Sequence, residues 1–393
     1  MATQNGTDDL DYLFGTDEDD ILNGFGGDDI LNGAGGNDQL LGGDGDDQLL
    51  GGDGDDQLFG GDGSDTLDLD GGAGADTLTG GAGDDVYYID NLLDVIVEEV
   101  DGGRDSVVSK FSYTLGETLE NLILGSYGVT DDIDGTGNEL DNYIQGNGFR
   151  NTLFGLDGDD TLAGLGGGDL LYGGMGNDTY WISYASQSIR DSIIEEVDAG
   201  TDSVFASISV TLWENVENLT LYKNPQFPGS PPPQDDPLNG TGNQLNNTIT
   251  GNNASNVLSG KRGNDTILGE GGDDRLVGGI GGDILTGGDG ADRFYRWRSG
   301  TGVDTITDFQ VGEDLLYFSA KGFGGDLVSS GFLGEEQFSL GTSAMTESNR
   351  FIYDTSTGNL FFDIDGTGDS AQVQIATLSP SLNLSHEDIY IFA

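Results

Sequence analysis

The sequence predicts an all-β protein with three parallel β-solenoid arrays, joined by β-rich spacers and followed by a β-rich C-terminal domain. A nine-residue unit, G-G-x-G-x-D-x-U-x with U a large apolar residue, recurs in register through much of the chain. One apolar residue per unit suits a three-residue strand with that residue turned inward, because strand side chains alternate between faces. The other six residues are rich in glycine, which permits the positive φ angles of a tight reversal. Two units therefore make one coil, and coils stack in parallel about 4.8 Å apart.

We number each unit from its first glycine, so that the aspartate is position 6 and the apolar residue is position 8. The first array, residues 1–88, has units that start at Gly6, Gly15, Gly24, Gly33, Gly42, Gly51, Gly60, Gly71 and Gly80, with the insertion Leu69-Asp70 before the last two. Position 8 is leucine except in the ninth unit, where it is Tyr87. The first two units lack the internal glycines, and we interpret them as a degenerate N-terminal cap, since terminal repeats are commonly atypical.

The second array comprises residues 137–181 and the third comprises residues 242–295. Their units start at Gly137, Gly146, Gly155, Gly164 and Gly173, and at Gly242, Gly251, Gly260, Gly269, Gly278 and Gly287. The two opening units of each array carry asparagine at position 6, namely Asn142, Asn151, Asn247 and Asn256. Because an asparagine side chain is a neutral and weaker ligand, we expect these units to hold a metal ion less often than the others.

Two spacers, residues 89–136 and 182–241, break the nine-residue period. Both consist of short β-branched runs between turn residues, which predicts strands. Residues 195–198 of the second spacer correspond to residues 98–101 of the first. The second spacer adds a proline-rich segment, 225–237, predicted to be an exposed bulge because proline cannot join a sheet ladder. The C-terminal region, residues 296–393, is non-repetitive and richer in aromatic residues, and it is also predicted to form strands.

Stacking places the position-6 carboxylates in columns with spacings of a few ångströms. Two such charges repel by about 1 kcal/mol even in bulk water and by more inside a protein, so the columns require cations. Carboxylate and carbonyl oxygens suit Ca²⁺, which takes roughly six to eight oxygen ligands, whereas Mg²⁺ demands an octahedral site. Zn²⁺ prefers cysteine or histidine, and the chain has no cysteine and one histidine.

The sequence therefore predicts several bound Ca²⁺ ions. The predicted carboxylate ligands are Asp11, Asp20, Asp29, Asp38, Asp47, Asp56, Asp65, Asp76, Asp85, Asp160, Asp169, Asp178, Asp265, Asp274, Asp283 and Asp292. The predicted carbonyl ligands are Gly43, Gly45, Gly52, Gly54, Gly61, Gly63, Gly174, Gly176, Gly279, Gly281, Gly288 and Gly290. We expect Asp47 to share ions with Asp29 and Asp65, and not with its sequence neighbours Asp38 and Asp56. Without Ca²⁺ the arrays should be largely disordered, because the binding free energy is folding free energy.

The composition excludes several classes of partner. Asp and Glu total 71 against 13 Lys and Arg, for a net charge of -58, whereas binding to nucleic acid needs clustered cations. A disordered acidic chain is the alternative for such a composition, but the acids lie at fixed offsets from glycines instead of in blocks. No run approaches the roughly 18 apolar residues of a membrane span. The N-terminus also lacks the basic and apolar regions of a secretory signal peptide.

The arrays resemble those of RTX proteins, whose haemolysin-type calcium-binding repeat is this nonapeptide and whose fold is a parallel β-roll. Residues 113–122 and 135–142 resemble connecting segments of multi-module RTX proteins, and residues 304–314 and 357–368 resemble the C-terminal region of serralysin-type secreted proteases. The resemblance implies export by type I secretion machinery through an uncleaved C-terminal signal, to which residues 388–392 are similar, and folding outside the cell. It does not carry over protease activity, because H-E-x-x-H is missing and the lone His386 lies near the C-terminus.

We expect no enzymatic activity. Adjacent strand residues point to opposite faces, so we interpret three glutamate pairs as solvated edges instead of glycosidase carboxylates: Glu98-Glu99, Glu195-Glu196 and Glu335-Glu336. No G-x-S-x-G motif is present, and residues 260–263 lack the spacing of a P-loop. Asp363, Asp365 and Asp369 form a D-x-D-G-x-G-D loop, which we interpret as a glycine-assisted turn, with one additional Ca²⁺ site as the alternative.

Three functions follow from these patterns. The first is a secreted or cell-surface calcium-binding protein with a structural or interaction role, including self-association. The second is a calcium-dependent, lectin-like adhesin for cell-surface polysaccharide, with Tyr127, Trp181, Trp213 and Tyr222 as candidate stacking residues, although we favour the interpretation that these residues cover the ends of the solenoid cores. The third is the non-catalytic part of an exoenzyme.

Overall fold

The structure is a computed structural model that describes residues 2–68, 72, 74–100, 102–125, 131–183, 190–222 and 236–393. The protein is all-β, with two compact units, Met1–Gly200 and Thr201–Ala393. The insertion Leu69-Asp70 and all but the last two residues of the predicted proline-rich bulge lie outside the described residues.

The first unit consists of short strands that alternate between two sides of a parallel solenoid. In chain order they are β1 Thr3–Asn5, β2 Tyr12–Phe14, β3 Ile21–Gly26, β4 Ile30–Gly35, β5 Gln39–Asp44, β6 Gln48–Asp53, β7 Gln57–Asp62, β8 Thr66–Asp68, β9 Thr77–Ala82, β10 Val86–Ile89, β11 Val95–Val97, β12 Ser106–Ser109, β13 Tyr113–Thr114, β14 Asn121–Leu124, β15 Gly135–Thr136, β16 Tyr143–Gln145, β17 Thr152–Asp157, β18 Thr161–Ala163, β19 Leu170–Met175, β20 Thr179–Ile182 and β21 Ser192–Ile194. Odd-numbered strands pair with odd-numbered strands and even with even.

The second unit continues in the same manner and ends in a mixed sheet. Its strands are β22 Ser203–Ala206, β23 Val210–Thr211, β24 Asn218–Leu221, β25 Asn239–Thr241, β26 Thr248–Thr250, β27 Val257–Arg262, β28 Thr266–Leu268, β29 Arg275–Ile280, β30 Ile284–Thr286, β31 Arg293–Arg296, β32 Asp304–Ile306, β33 Leu315–Ser319, β34 Gly331–Phe332, β35 Phe338–Leu340, β36 Phe351–Asp354, β37 Asn359–Phe362, β38 Val373–Thr377 and β39 Ile389–Phe392. Its helical segments are α1 Ala320–Phe323 and the 3-10 turns Glu335–Gln337 and His386–Asp388.

The pairing confirms two units per coil. Leu40 of β5 pairs with Leu22 of β3 on one side and with Leu58 of β7 on the other, in parallel. Many strands are six residues long where the sequence predicted three, as in Gln48–Asp53. They are longer because parallel pairing continues from the apolar residue into the glycines that start the next unit.

Position-8 side chains fill a thin core between the two sides. The fully buried members include Leu22, Leu31, Leu40, Leu49, Leu58, Leu67, Leu78, Tyr87, Ile144, Leu153, Leu162, Leu171, Ile249, Leu258, Ile267 and Leu276. Burying one such side chain contributes roughly 1.5–3 kcal/mol. Since each unit contributes a single core residue, the turns must supply much of the remaining stability.

The spacer strands join the same parallel stack. Strand β12 of the first spacer pairs with β10 of the first array and with β14, and β14 pairs with β16 of the second array. Val107 and Leu122 are fully buried and take the place of the position-8 leucine. The first spacer therefore breaks the sequence motif but not the parallel stack, because pairing needs only an inward apolar residue on each coil.

The C-terminal strands complete the second unit. Strand β33 pairs in parallel with β31 and with the last strand, β39, while β36, β37 and β38 form antiparallel pairs. Ile389 and Ile391 of β39 are buried. In the described ranges, no helix has the length and apolar character required to cross a membrane.

Candidate calcium sites

The position-6 aspartates form columns in which each carboxylate binds the backbone of the preceding coil. Asp47 accepts a hydrogen bond at Oδ1 from the N–H of Asp29, at 2.7 Å. Its own N–H donates to Oδ1 of Asp65 at 2.8 Å. Asp38 and Asp56 form the column on the other side, at 2.8 Å. The alignment of Asp47 with Asp29 and Asp65 is thus as the register analysis predicted, while ion sharing between them stays a prediction.

In most of these aspartates, the second carboxylate oxygen has no partner among the described residues. It is buried and accepts no hydrogen bond in Asp29, Asp38, Asp47, Asp56, Asp65, Asp85, Asp160, Asp169, Asp265, Asp274, Asp283 and Asp292. A buried, unsatisfied carboxylate oxygen is costly, so each requires a cation or a proton. The repeated orphaned oxygen is the observation that fits a bound metal ion.

Burial raises the pKa of these carboxyls strongly. It raises the pKa of Asp47 and Asp56 to about 7, against the lowering effect of the hydrogen bonds from the N–H groups of Asp29 and Asp38. The pKa of Asp160 and of Asp274 is raised further, to about 8, with burial again the largest cause. At neutral pH the ionised form therefore needs positive charge nearby.

The glycine turns pack so closely that carbonyl oxygens of one coil lie beside the glycines of the next. Gly61 and Gly63 have φ of 128° and 138°. A Cβ on Gly61 would lie 2.0 Å from the carbonyl oxygen of Gly43, and one on Gly63 would lie 2.1 Å from that of Gly45. Only glycine permits this approach without displacement. The donors at the turn are all oxygens, which suits a hard cation such as Ca²⁺.

All the predicted carbonyl glycines occupy positions 2 and 4 of these turns and have positive φ. They are Gly43, Gly45, Gly52, Gly54, Gly61, Gly63, Gly174, Gly176, Gly279, Gly281, Gly288 and Gly290. Ligation by their carbonyl groups stays a prediction.

Position 2 separates two kinds of turn. Some units have another residue than glycine at position 2 and still have a position-6 aspartate with an orphaned oxygen. In these units, the position-2 residue has positive φ. These residues are Phe25, Ala34, Leu156, Leu165, Lys261 and Glu270, with φ between 67° and 93°. A non-glycine residue in this region is strained by roughly 1–3 kcal/mol, so the surrounding turn must stabilise it.

The opening units of the second and third arrays have the other kind of turn. Asn138, at position 2, does not have positive φ, and its N–H donates to Oδ1 of Asn142 at 2.7 Å. The Nδ2 group of Asn142 donates to Oδ1 of Asn138 at 3.1 Å and to the carbonyl of Glu120 at 3.3 Å. The third array repeats this geometry, with a 2.8 Å bond from the N–H of Asn243 to Asn247. The side-chain amide therefore satisfies the turn by hydrogen bonds, while the lower ion occupancy of these units stays a prediction.

The turns of the first two units, which contain the predicted ligands Asp11 and Asp20, are also closed by hydrogen bonds. The N–H and hydroxyl of Thr16 both donate to Oδ2 of Asp20 at 2.8 Å, and the N–H of Ala2 donates to Oδ1. These hydrogen bonds lower the pKa of Asp20. Thr7 donates to Asp11 in the same way, at 2.6 and 2.8 Å. Both carboxylate oxygens of Asp20 thus accept hydrogen bonds, unlike those of the later units, and a threonine at position 2 was the signal in the sequence.

At the end of the third array, Asp304 is paired with a cationic side chain of the protein itself. It continues the column, since the N–H of Asp283 donates to its Oδ1 at 3.2 Å. The buried guanidinium of Arg296 forms an ion pair with its Oδ2. Burial is the largest cause acting on the pKa of Asp304 and raises it, while Arg296 lowers it. No motif in the sequence marks this ion pair.

The glutamate pairs are only partly on solvated edges. Glu99 and Glu196 are exposed, but Glu195 is buried, and Glu98 turns inward and accepts a hydrogen bond from the hydroxyl of Tyr87. The prediction of an edge was therefore wrong for Glu98 and Glu195, which come directly after β11 and β21 and turn inward while their neighbours stay exposed. Both residues of the Glu335-Glu336 pair are exposed.

The remaining candidates have structural contacts. Oδ1 of Asp363 accepts bonds from the N–H groups of Asp365 and Gly366, at 3.2 and 3.0 Å, which is the geometry of the predicted turn. Trp181 is 38% exposed, while Trp213 and Tyr222 are half-buried. Tyr127 lies outside the described residues.

Comparison with protein families matches the family described as RTX calcium-binding nonapeptide repeat (4 copies), at residues 5–40, 32–67, 68–91, 136–171, 145–180, 241–276, 250–285 and 268–297. A search of curated proteins finds no match. Among solved structures, the chain is similar to a subunit of the mannuronan C5-epimerase from Azotobacter vinelandii, with 27% identity and a TM-score of 0.27, over 42% of this chain and 85% of that one. It is also similar to an extracellular lipase from Serratia marcescens, with 17% identity and a TM-score of 0.25, over 74% of this chain and 45% of that one.

The matched segments coincide with the three arrays whose carboxylate columns are described above. The three arrays therefore belong to the family of RTX calcium-binding nonapeptide repeats.

Proposed function

We propose that this protein is exported and folds on binding several Ca²⁺ ions outside the cell, where it has a structural or interaction role and no enzymatic activity. The observation that carries the proposal is the repeated orphaned oxygen of the position-6 aspartates. At low Ca²⁺ each column holds buried charges with no counterion, which favours the unfolded chain. At high Ca²⁺ the ions supply the missing charge.

The C-terminal strand agrees with export before folding. Residues 388–392, which resemble a type I secretion signal, largely coincide with β39. Ile389 is 0% exposed and Ile391 is 1% exposed, since β39 pairs with β33. Export machinery would therefore reach this segment only in the unfolded chain.

The test is a Ca²⁺ titration of the full-length chain followed by far-ultraviolet circular dichroism and calorimetry. We expect little β structure in chelator and a cooperative gain of β structure as several ions bind. The double variant Asp47→Asn with Asp56→Asn should bind fewer ions, while Asp44→Asn, at an exposed turn position, should bind the wild-type number. Equal β content with and without Ca²⁺ at neutral pH would contradict the proposal.

A calcium-dependent adhesin is the second candidate, because one surface of the second unit carries a row of aromatic rings. Tyr317 stacks between Tyr295 and Tyr390, with ring centroids at 4.5 and 4.8 Å. The guanidinium of Arg275 lies 4.0 Å from the centroid of the Tyr295 ring. Binding of the Ca²⁺-loaded protein to a polysaccharide array, lost in Tyr317→Ala and kept in Tyr88→Ala, would favour this candidate.

A further inference from the structure

Three carboxylates meet where the first array joins the spacer that follows it. Asp85 is the last position-6 residue of the array, and Glu98 and Asp105 belong to the spacer. One carboxylate oxygen of each lies within 4.8 Å of the other two. Asp85 is 0% exposed and Asp105 is 1% exposed, so repulsion within this group is weakly screened.

Asp85 directs an oxygen without a partner toward this group. Its Oδ1 accepts the N–H of Asp65 at 2.8 Å, while its Oδ2 is buried and accepts no hydrogen bond from the described part of the chain. A Cβ on Gly80 would lie 2.0 Å from this Oδ2 and 2.2 Å from the hydroxyl oxygen of Tyr87, so both oxygens lie beside the same glycine. Asp105 extends the column, since its Oδ1 accepts the N–H of Asp85 at 2.9 Å.

Tyr87 holds Glu98 in the group. It replaces the usual leucine at position 8 and is fully buried. Its hydroxyl oxygen accepts the N–H of Gly80 at 2.9 Å, and the hydroxyl donates to Oε2 of Glu98. The other oxygen of Glu98 accepts the N–H of Glu99 at 2.8 Å. Glu98 is therefore held beside two buried aspartates, where an acidic side chain adds nothing to apolar packing. It can instead provide an oxygen ligand for a cation.

The third array shows that positive charge occupies the corresponding position. Arg296 follows Asp283 by the same thirteen residues by which Glu98 follows Asp85, and its guanidinium pairs with Asp304, the next member of that column. At the first junction the corresponding residue is an acid instead. The nearby Arg104 is exposed and donates from Nε to Asn121 at 3.3 Å.

We propose that Asp85, Glu98 and Asp105 bind a Ca²⁺ ion at this junction, in a site that lies partly outside the nonapeptide motif. The site has only oxygen donors, which suits Ca²⁺. Two of its three ligands come from the spacer, so ordering of the spacer strands β11 and β12 depends on calcium, as ordering of the array does. This inference rests on the proposed calcium binding by the arrays.

Glu98→Gln tests the site, because glutamine keeps the size and can still accept the hydrogen bond from Tyr87 but removes the charge. Equilibrium dialysis of the full-length protein should show one ion fewer than in the wild type. Hydrogen–deuterium exchange should show that residues 94–109 lose their Ca²⁺-dependent protection while residues 42–63 keep theirs. The matched control is Glu99→Gln, at the exposed neighbour, which should leave the ion number and the protection unchanged.

Tyr87→Phe separates ion binding from the hydrogen bond, since it keeps all three carboxylates. We expect it to retain the ion with weaker affinity. A wild-type ion number in Glu98→Gln would overturn the proposal, as would equal loss of protection in Glu98→Gln and Tyr87→Phe with no ion lost from either. Failure of the calcium function itself would look different, because residues 42–63 of the wild-type protein would then show no Ca²⁺-dependent protection.

Discussion

Acidification in the absence of Ca²⁺ should restore part of the fold that chelation removes at neutral pH. Asp47 and Asp56 are 2% and 1% exposed, and burial raises the pKa of each to about 7 from the ordinary 3.8. The folded chain therefore binds more protons than the unfolded chain between these values, so its stability falls as the pH rises through this window. Each pKa unit corresponds to about 1.4 kcal/mol, so keeping one such carboxylate ionised costs about 4 kcal/mol at pH 7.5.

Two carboxylates of one coil then cost about 8 kcal/mol, which is comparable with the whole stability of a typical domain. At about pH 5 the folded carboxyls are protonated, and the cost per group falls to about 2 kcal/mol. Circular dichroism in chelator should therefore show more β structure at about pH 5 than at pH 7.5. The Ca²⁺-loaded protein should show the opposite trend, because protons compete with the metal for the same oxygens.

The double variant Asp47→Asn with Asp56→Asn serves as an internal check. It should retain more β structure than the wild type in chelator at pH 7.5, because the two ionised groups are gone. The reasoning fails if the β content in chelator is the same at both pH values, or if it is higher at pH 7.5.

Three further perturbations address the turns and the ion pair. Replacing Asn243 by Gly and Asn247 by Asp together should convert an opening unit of the third array into an ion-binding unit, which dialysis would detect as one additional Ca²⁺. Replacing Arg296 by Gln leaves Asp304 buried without its cation, and we expect a loss of about 3–5 kcal/mol in the unfolding free energy of the Ca²⁺-loaded protein, measured by denaturant titration. Gly63→Ala forces a Cβ against a carbonyl oxygen 2.1 Å away at φ of 138° and should cost more than about 2 kcal/mol in the same assay.

Matched variants distinguish these effects from general damage. Asn247→Asp without the change at Asn243 should gain no ion, because the N–H at position 2 still occupies the side-chain oxygen. Arg298→Gln changes an exposed arginine next to the same strand and should be nearly neutral. Gly148→Ala adds a Cβ with nothing within 4 Å and should also be nearly neutral.

The features repeated along the sequence were predictable, and those that depend on a neighbouring coil were not. The pairing of Leu40 with Leu22 and Leu58 follows directly from two nine-residue units per coil. The ion pair of Arg296 with Asp304 follows from no motif, because the two residues meet only after the chain has passed through a turn. The inward position of Glu98 was missed for a similar reason, since its partner Tyr87 lies on another strand.

Position 2 was the most informative residue that the sequence analysis did not use. Glycine and asparagine are both common in turns, so composition alone does not separate the two kinds of unit. The backbone does, because positive φ accompanies an orphaned aspartate oxygen, whereas Thr16 and Asn138 direct their N–H groups to the position-6 side chain. Phe25 and Lys261, with φ of 76°, show that the turn can impose the positive φ on a residue that does not favour it.

The opening units, which have asparagine at position 6, also donate the first hydrogen bond to the aspartate columns of the second and third arrays. In the second array, the N–H of Asn142 donates to Oδ1 of Asp160 at 2.7 Å, and in the third the N–H of Asn247 donates to Oδ1 of Asp265 at 2.8 Å. These aspartates therefore face a coil with no carboxylate at position 6, which spares each of them one repulsive neighbour in its column. The asparagine coils can order without an ion, since their amides satisfy the turn, and they then hold the next carboxylate in place for metal. Asparagine at the start of an array thus provides hydrogen-bonded coils on which the first charged coil packs.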